Sequence, residues 1–217
     1  NNANDNTLWP VASLPVIALP LDLLIEKAQV KTFRLQPIND LPQQQLNNSQ
    51  FTLAWQATEL TIKHFETEHV VYGSATLQGK ANFIPPYNLN ITVRSELKNI
   101  TGLPFITSLF DGTQQSVQLS GDLSALTVNS QLTGTIALTA KGQVDLTKQE
   151  LPFTSDITLS KYPELDKLLS ASQPITASIT ANGDITKQQV EINGLLSAYG
   201  YQDAELSLHA THQGDLQ

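Results

Sequence analysis

From Val117 onward, apolar residues occupy nearly every second position of the chain. They run through Val117 and Leu119, Val128 and Leu132, Ile136 and Leu138, Ile157 and Leu159, Ile179 and Ala181, Val190 and Ile192, and Leu206 and Leu208. The positions between them are mostly Thr, Ser, Asn, Gln and Asp. A two-residue period of this kind predicts strands with one apolar and one water-facing side. The breaks carry further information. In Leu146-Thr-Lys-Gln-Glu-Leu151 and Ile185-Thr-Lys-Gln-Gln-Val190 the apolar parity switches across four polar residues. That switch predicts hairpins with Leu146 opposite Leu151 and Ile185 opposite Val190, which keep the apolar face on one side. Leu123 and Leu126 are expected to face each other in the same way around Ser124-Ala125.

Gly-Asp pairs recur at Gly121-Asp122, Gly183-Asp184 and Gly214-Asp215, which suggests a degenerate strand-turn-strand repeat. The N-terminal half alternates less regularly, through Phe51, Leu53, Trp55 and Ala57, then Ala75, Leu77, Ala81 and Phe83, then Leu89, Ile91, Val93 and Leu97. It is richer in rings, since ten of the fourteen Phe, Trp and Tyr residues precede residue 113. Residues 1–112 are therefore expected to form a rougher half and 113–217 a regular one, within a single elongated β-rich segment. Two short stretches, Leu103 to Gly112 and Pro163 to Ser170, have helical spacing behind a proline. The segment Leu8 to Ile25 is apolar enough to imitate a membrane span, but Pro10, Pro15 and Pro20 each remove an amide donor. It is expected to be extended.

Charge and composition narrow the function. Twelve Lys and Arg against twenty Asp and Glu give a net charge of −8, which argues against nucleic acid as a partner. The chain has no Cys, so disulfides, zinc-thiolate sites and thiol nucleophiles are excluded. It begins with Asn and contains no Met, which suggests a piece of a longer protein. His209-x-x-His212 imitates a metal pair, but on a strand residues three apart point to opposite faces. His64 and His69 sit beside Glu66 and Glu68 in what reads as a solvated charged turn. No nucleophile elbow, P-loop or dinucleotide fingerprint is present. No catalytic residue, cofactor or metal is expected, and the chain is not read as an enzyme. Periodicity leaves two fates for the apolar face: packing against another layer as a core, or serving as a groove for alkyl chains.

Three phrases carry a resemblance. They are the strands headed by Gly-Asp-Leu/Ile-Ser/Thr, the opening Leu14-Pro-Val-Ile-Ala-Leu-Pro-Leu-Asp-Leu-Leu-Ile-Glu-Lys-Ala-Gln-Val30, and Leu77-Gln-Gly-Lys-Ala-Asn-Phe-Ile-Pro-Pro-Tyr-Asn-Leu-Asn-Ile-Thr-Val93. Together they resemble the TamB family of AsmA-like proteins, along nearly the whole chain. The resemblance implies a mainly β fold: a long curled antiparallel sheet, the β-taco, with a hydrophobic concave face and one or two short helices. It also implies a periplasmic segment of an inner-membrane-anchored protein in a Gram-negative bacterium. There the trough would pass phospholipid between the two membranes, together with a TamA-like outer-membrane barrel protein contacted through regions outside this chain. On that reading the trough lining is Ile136, Leu138, Ile157, Leu159, Ile179, Val190, Ile192, Leu206 and Leu208. A reading of another class is a scaffold or chaperone-like subunit that assists assembly of outer-membrane or autotransporter proteins through an open strand edge. Self-association through the sheet ends is expected in either case.

Overall fold

The computed structural model describes residues 16–35, 44–69, 73–97, 112–163, 166, 175–196 and 204–213. Its strands are β1 (Leu23–Leu35), β2 (Gln44–Gln56), β3 (Glu59–His69), β4 (Gly73–Asn82), β5 (Leu89–Leu97) and β6 (Thr113–Gly121). They continue as β7 (Leu126–Thr133), β8 (Ala137–Val144), β9 (Phe153–Lys161), β10 (Thr176–Gly183), β11 (Lys187–Leu196) and β12 (Ala204–Gln213). All twelve form one antiparallel sheet in strict chain order, with β1 and β12 as open edges rather than partners in a barrel. Every strand pairs with its sequence neighbours, the arrangement that the alternating pattern and short polar breaks favour.

The two faces differ as the alternation requires. On β9, β10 and β11 the residues Ile157, Ile179 and Ile192 are half-buried, while Thr158, Thr180 and Glu191 between and beside them are exposed. This contrast exists although no second layer covers the apolar side among the described residues. The apolar side chains shelter one another because the sheet curls toward them, so the apolar face is the concave one. Among the described residues only Leu123, Ile136 and Ile175 are buried apolar side chains, and all three lie in connections beyond strand ends.

One end of the sheet is closed by a repeated turn. Asp122 accepts hydrogen bonds at Oδ1 from the Ser124 amide (2.8 Å), the Ser124 hydroxyl (2.6 Å) and the Ala125 amide (3.1 Å). Asp184 does the same with the Thr186 amide and hydroxyl, both at 2.7 Å, and the Lys187 amide at 2.9 Å. Asp145 accepts from the Thr147 amide at 2.9 Å and from its hydroxyl. A carboxylate that ties down the amides after it offers the chain a tight Asx turn. Gly121 and Gly183 precede two of these aspartates at φ +113° and +145°. A Cβ there would run into the carbonyl oxygen of Ala125 or Lys187, so glycine is required.

These turns correct two of the expected pairings. Val190 lies opposite Ala181, and Ile185 sits in the turn at 37 % exposure rather than opposite Val190. The β6–β7 register sets Ser120 against Thr127, so Leu126 comes level with Gly121 and Leu123 is buried in the turn. In both cases the chain reverses earlier than apolar parity suggested, through a four-residue loop that begins at the aspartate, 122–125 and 184–187. The β8–β9 ladder ends at Val144 and Phe153, with the Asp145 amide bonded to the Pro152 carbonyl at 3.0 Å, a register that brings Leu146 level with Leu151 as expected.

The turns are also joined to each other. The Leu123 amide donates to Pro86 O (3.4 Å), the Leu146 amide to Leu123 O (2.7 Å) and the Ile185 amide to Glu150 O (2.9 Å). At the same end Ile17 and Leu19 donate to Phe83 O and Ala57 O, at 3.2 and 3.0 Å. Residues 16–22 are non-helical, as the prolines predict; residues 8–15 lie outside the described part. So do Leu103 to Asp111, most of Pro163 to Ser170, and Gly214-Asp215, although Pro163 and Asp166 are helical, with the Asp166 amide bonded to Tyr162 O at 3.1 Å.

Candidate functional site

The ladder registers, followed from strand to strand, generate rows of side chains that cross the whole sheet on its concave face. The central row starts with Ala28, Phe51, Phe65, Leu77, Val93 and Val117 on β1 to β6. It continues through Ser130, Ala140, Ile157, Ile179, Ile192 and Leu208 on β7 to β12. Ser130 is the single polar member. Directly opposed residues of an antiparallel ladder sit on one face with Cβ atoms about 5 Å apart, so neighbours in this row touch. The result is a floor across twelve strands that is apolar on every strand but β7.

Two more rows flank it, each two residues away along the strands. On the side away from the Asx turns are Ser49, Ala75, Ser95 and Gln115, then Leu132, Leu138, Leu159, Ala177, Gly194 and Leu206. Thr67 takes its place between Ser49 and Ala75, facing Ala75 across the ladder and sharing a 2.8 Å hydroxyl-hydroxyl hydrogen bond with Ser49. On the turn side are Leu53, Ile62, Gly79, Ile91 and Leu119, then Val128, Gly142, Ser155, Ala181, Val190 and Ala210. None of the three rows holds a charged residue. An ion placed there would lose hydration with no partner, so the face suits an uncharged, apolar guest.

Eight of the nine residues expected to line a trough lie on these rows. Ile157, Ile179, Ile192 and Leu208 belong to the central row, Leu138, Leu159 and Leu206 to the row beyond it, and Val190 to the turn-side row. Ile136 is buried in the bend before β8 instead. The sequence reading missed the N-terminal half of the floor, Phe51, Phe65, Leu77, Val93 and Val117. Their alternation is visible in the sequence, but β1 to β4 contain register shifts that hide which positions align.

Other features are not sites. Cavities of up to about 470 Å³ lie among polar side chains such as Arg94, Glu96 and Gln114 on the opposite face. They are gaps between polar side chains on the water-facing surface, although row residues such as Ala75, Ser95 and Gln115 also border them. His209 pairs with Glu191 on the polar face and His212 contacts Gln188 Oε1 at 2.7 Å on the other, so the two do not converge. Among the described residues no cluster of His, Asp and Glu could hold a metal, and no helix is long and apolar enough to cross a membrane. The carboxyls of Asp122, Asp145 and Asp184 are held below the usual range, first by the Ser or Thr hydroxyl two residues on and then by the turn amides. Glu59 is lowered by its hydrogen bond and charge pairing with Lys80 at 2.8 Å.

A sheet of neighbour-paired strands with Asx-closed turns and an uncharged concave face is matched, over residues 2–217, by the family model described as TamB, N-terminal domain. The chain belongs to the TamB family. TamB proteins are components of the translocation and assembly module of the Gram-negative envelope, a family linked to TamA-type partners. No curated protein and no solved structure matches the chain significantly.

Proposed function

We propose that this TamB-family chain works as one elongated periplasmic segment of a lipid conduit, holding phospholipid acyl chains on its concave face as they pass between inner and outer membranes. The central apolar row across all twelve strands carries this reading. Each methylene leaving water gains about 0.8 kcal/mol, and a row without charge that is apolar on all strands but β7 offers such a gain along most of its course. A guest held this way slides without a deep trap. No group is called on for chemistry. A TamA-like outer-membrane barrel protein would receive the cargo, through parts of the protein beyond this chain.

Ile179 provides the test. It lies mid-row between Ile157 and Ile192. In Ile179→Arg the guanidinium should reach water along an open trough, leaving a cooperative thermal melt while photo-crosslinking to phospholipid is lost. Parent-like crosslinking in the folded variant removes the face from the pathway, and outright unfolding returns Ile179 to a closed core.

A second reading rests on the β12 edge, where Leu206 and Leu208 are 65 % and 55 % exposed beside an unpaired strand. Such an edge could accept a strand from an outer-membrane or autotransporter protein in assembly, or from another copy of the chain. Native mass spectrometry separates the readings: co-purifying phospholipid supports the conduit, and bound polypeptide without lipid supports the scaffold.

A further inference from the structure

The three rows are not apolar in the same places. On β5 and β6 the turn-side row is Ile91 and Leu119, while the far row is Ser95 and Gln115, joined by a 3.4 Å hydrogen bond. On β8 and β9 the order reverses: the far row is Leu138 and Leu159, while the turn-side row is Gly142 and Ser155. Ser130, the polar member of the central row, lies on β7 between these two regions, flanked along its strand by Val128 and Leu132.

We infer that the acyl path crosses the sheet obliquely between β5 and β9, keeping to the central and turn-side rows on β5 and β6 and to the central and far rows on β8 and β9. This rests on the conduit reading and assigns its course. The argument is one of apolar area: a side chain of Leu or Ile offers a guest several methylenes that Ser, Gln or Gly does not. Two residues along a strand span roughly 6.7 Å, about the width of one more alkyl chain, so the displacement is a whole lane. At β7 both lanes are present, through Val128 and Leu132, and the central row is weakest at Ser130. The change of lane therefore falls on that strand, and Val128 and Leu132 are its positioning residues.

A diazirine-bearing amino acid placed singly on neighbouring rows of one strand reads the lane directly. The full chain is irradiated with mixed phosphatidylethanolamine–phosphatidylglycerol vesicles, and each variant's thermal melt is taken first. Leu119 should label with lipid more than Gln115, and Leu159 more than Ser155, each by about fourfold or more, the ratio set by one buried methylene. If a β6 variant does not fold, Ile91 and Ser95 on β5 report the same two rows. Labelling that stays in one row on both β6 and β9, or that is equal in both rows, overturns the oblique path while leaving the conduit standing. Folded variants that label with lipid at none of these positions overturn the conduit itself and the path with it.

Discussion

The strands from β1 to β5 and those from β6 to β12 extend the same apolar row by different means. In the first group the ladders slip, between Ile25 and Ala28, between Asn47 and Gln50, between Thr52 and Leu53, and between Ile62 and Phe65. Each slip bends its strand and increases local twist. This group also carries a ring stack, Trp55 on Phe83, whose centroids are 5.0 Å apart at 17°. In the second group the ladders are regular save for one shift at Ala137/Leu138, and the strand ends are fixed by the aspartate turns. One region holds its course by irregular strands and aromatic packing, the other by regular strands and repeated aspartate corners. An apolar row therefore needs its registers fixed, and either device can fix them.

The largest expected effect attacks a corner. Gly183→Val puts a branched side chain at φ +145° against the Lys187 carbonyl, and should cost about 3 kcal/mol in chemical denaturation. If it costs nothing, the corners do not hold the regular half. Phe83→Ala removes half of the aromatic stack in the other half; because Phe83 is only half-buried, the expected loss is about 1–2 kcal/mol. A loss as large as that of Gly183→Val would make the two devices equal.

Acid should act on the corners selectively. The three aspartates are depressed in the folded chain, so between the ordinary carboxylate range near pH 4 and their lowered folded values the unfolded chain binds more protons. Their contribution is complete above that range and is lost as pH falls through the folded values. Asp122→Asn, Asp145→Asn and Asp184→Asn combined keep an acceptor oxygen in each turn but remove the titration. Denaturation followed from pH 6 downward should show a flatter acid limb than the parent, and an unchanged limb would detach the turns from acid stability. The smallest effect is at the surface: Lys80→Ala breaks an exposed pair with Glu59 and should leave the melt unchanged at physiological salt.

Much of this was legible in the chain because a two-residue period states both the strand and its face. The exposure of Thr158 and Thr180 against the shelter of Ile157 and Ile179 could be read directly. Partnerships were harder. Parity placed Ile185 opposite Val190, yet it says only which face a residue takes, and the Asp184 side chain decided where the chain reversed. The third corner was hidden because Val144 stands where Gly121 and Gly183 precede the other aspartates, although Asp145-Leu146-Thr147 repeats the rest of the phrase. In β3 one extra residue, Lys63, restores Ile62 and Phe65 to one face, and nothing in its chemistry announces it. The rows themselves are a sum of eleven registers, so an error in any one of them breaks the line.

The hydrogen bonds that join turn to turn, Leu123 to Pro86, Leu146 to Leu123 and Ile185 to Glu150, lie along a single margin of the sheet. They bind that margin as stitching binds the spine of a book. On the conduit reading, a trough that widened would keep its strand order along this margin, because the turns are tied to each other independently of the ladders. On the same reading, the order of the rows beneath a guest would be kept as well.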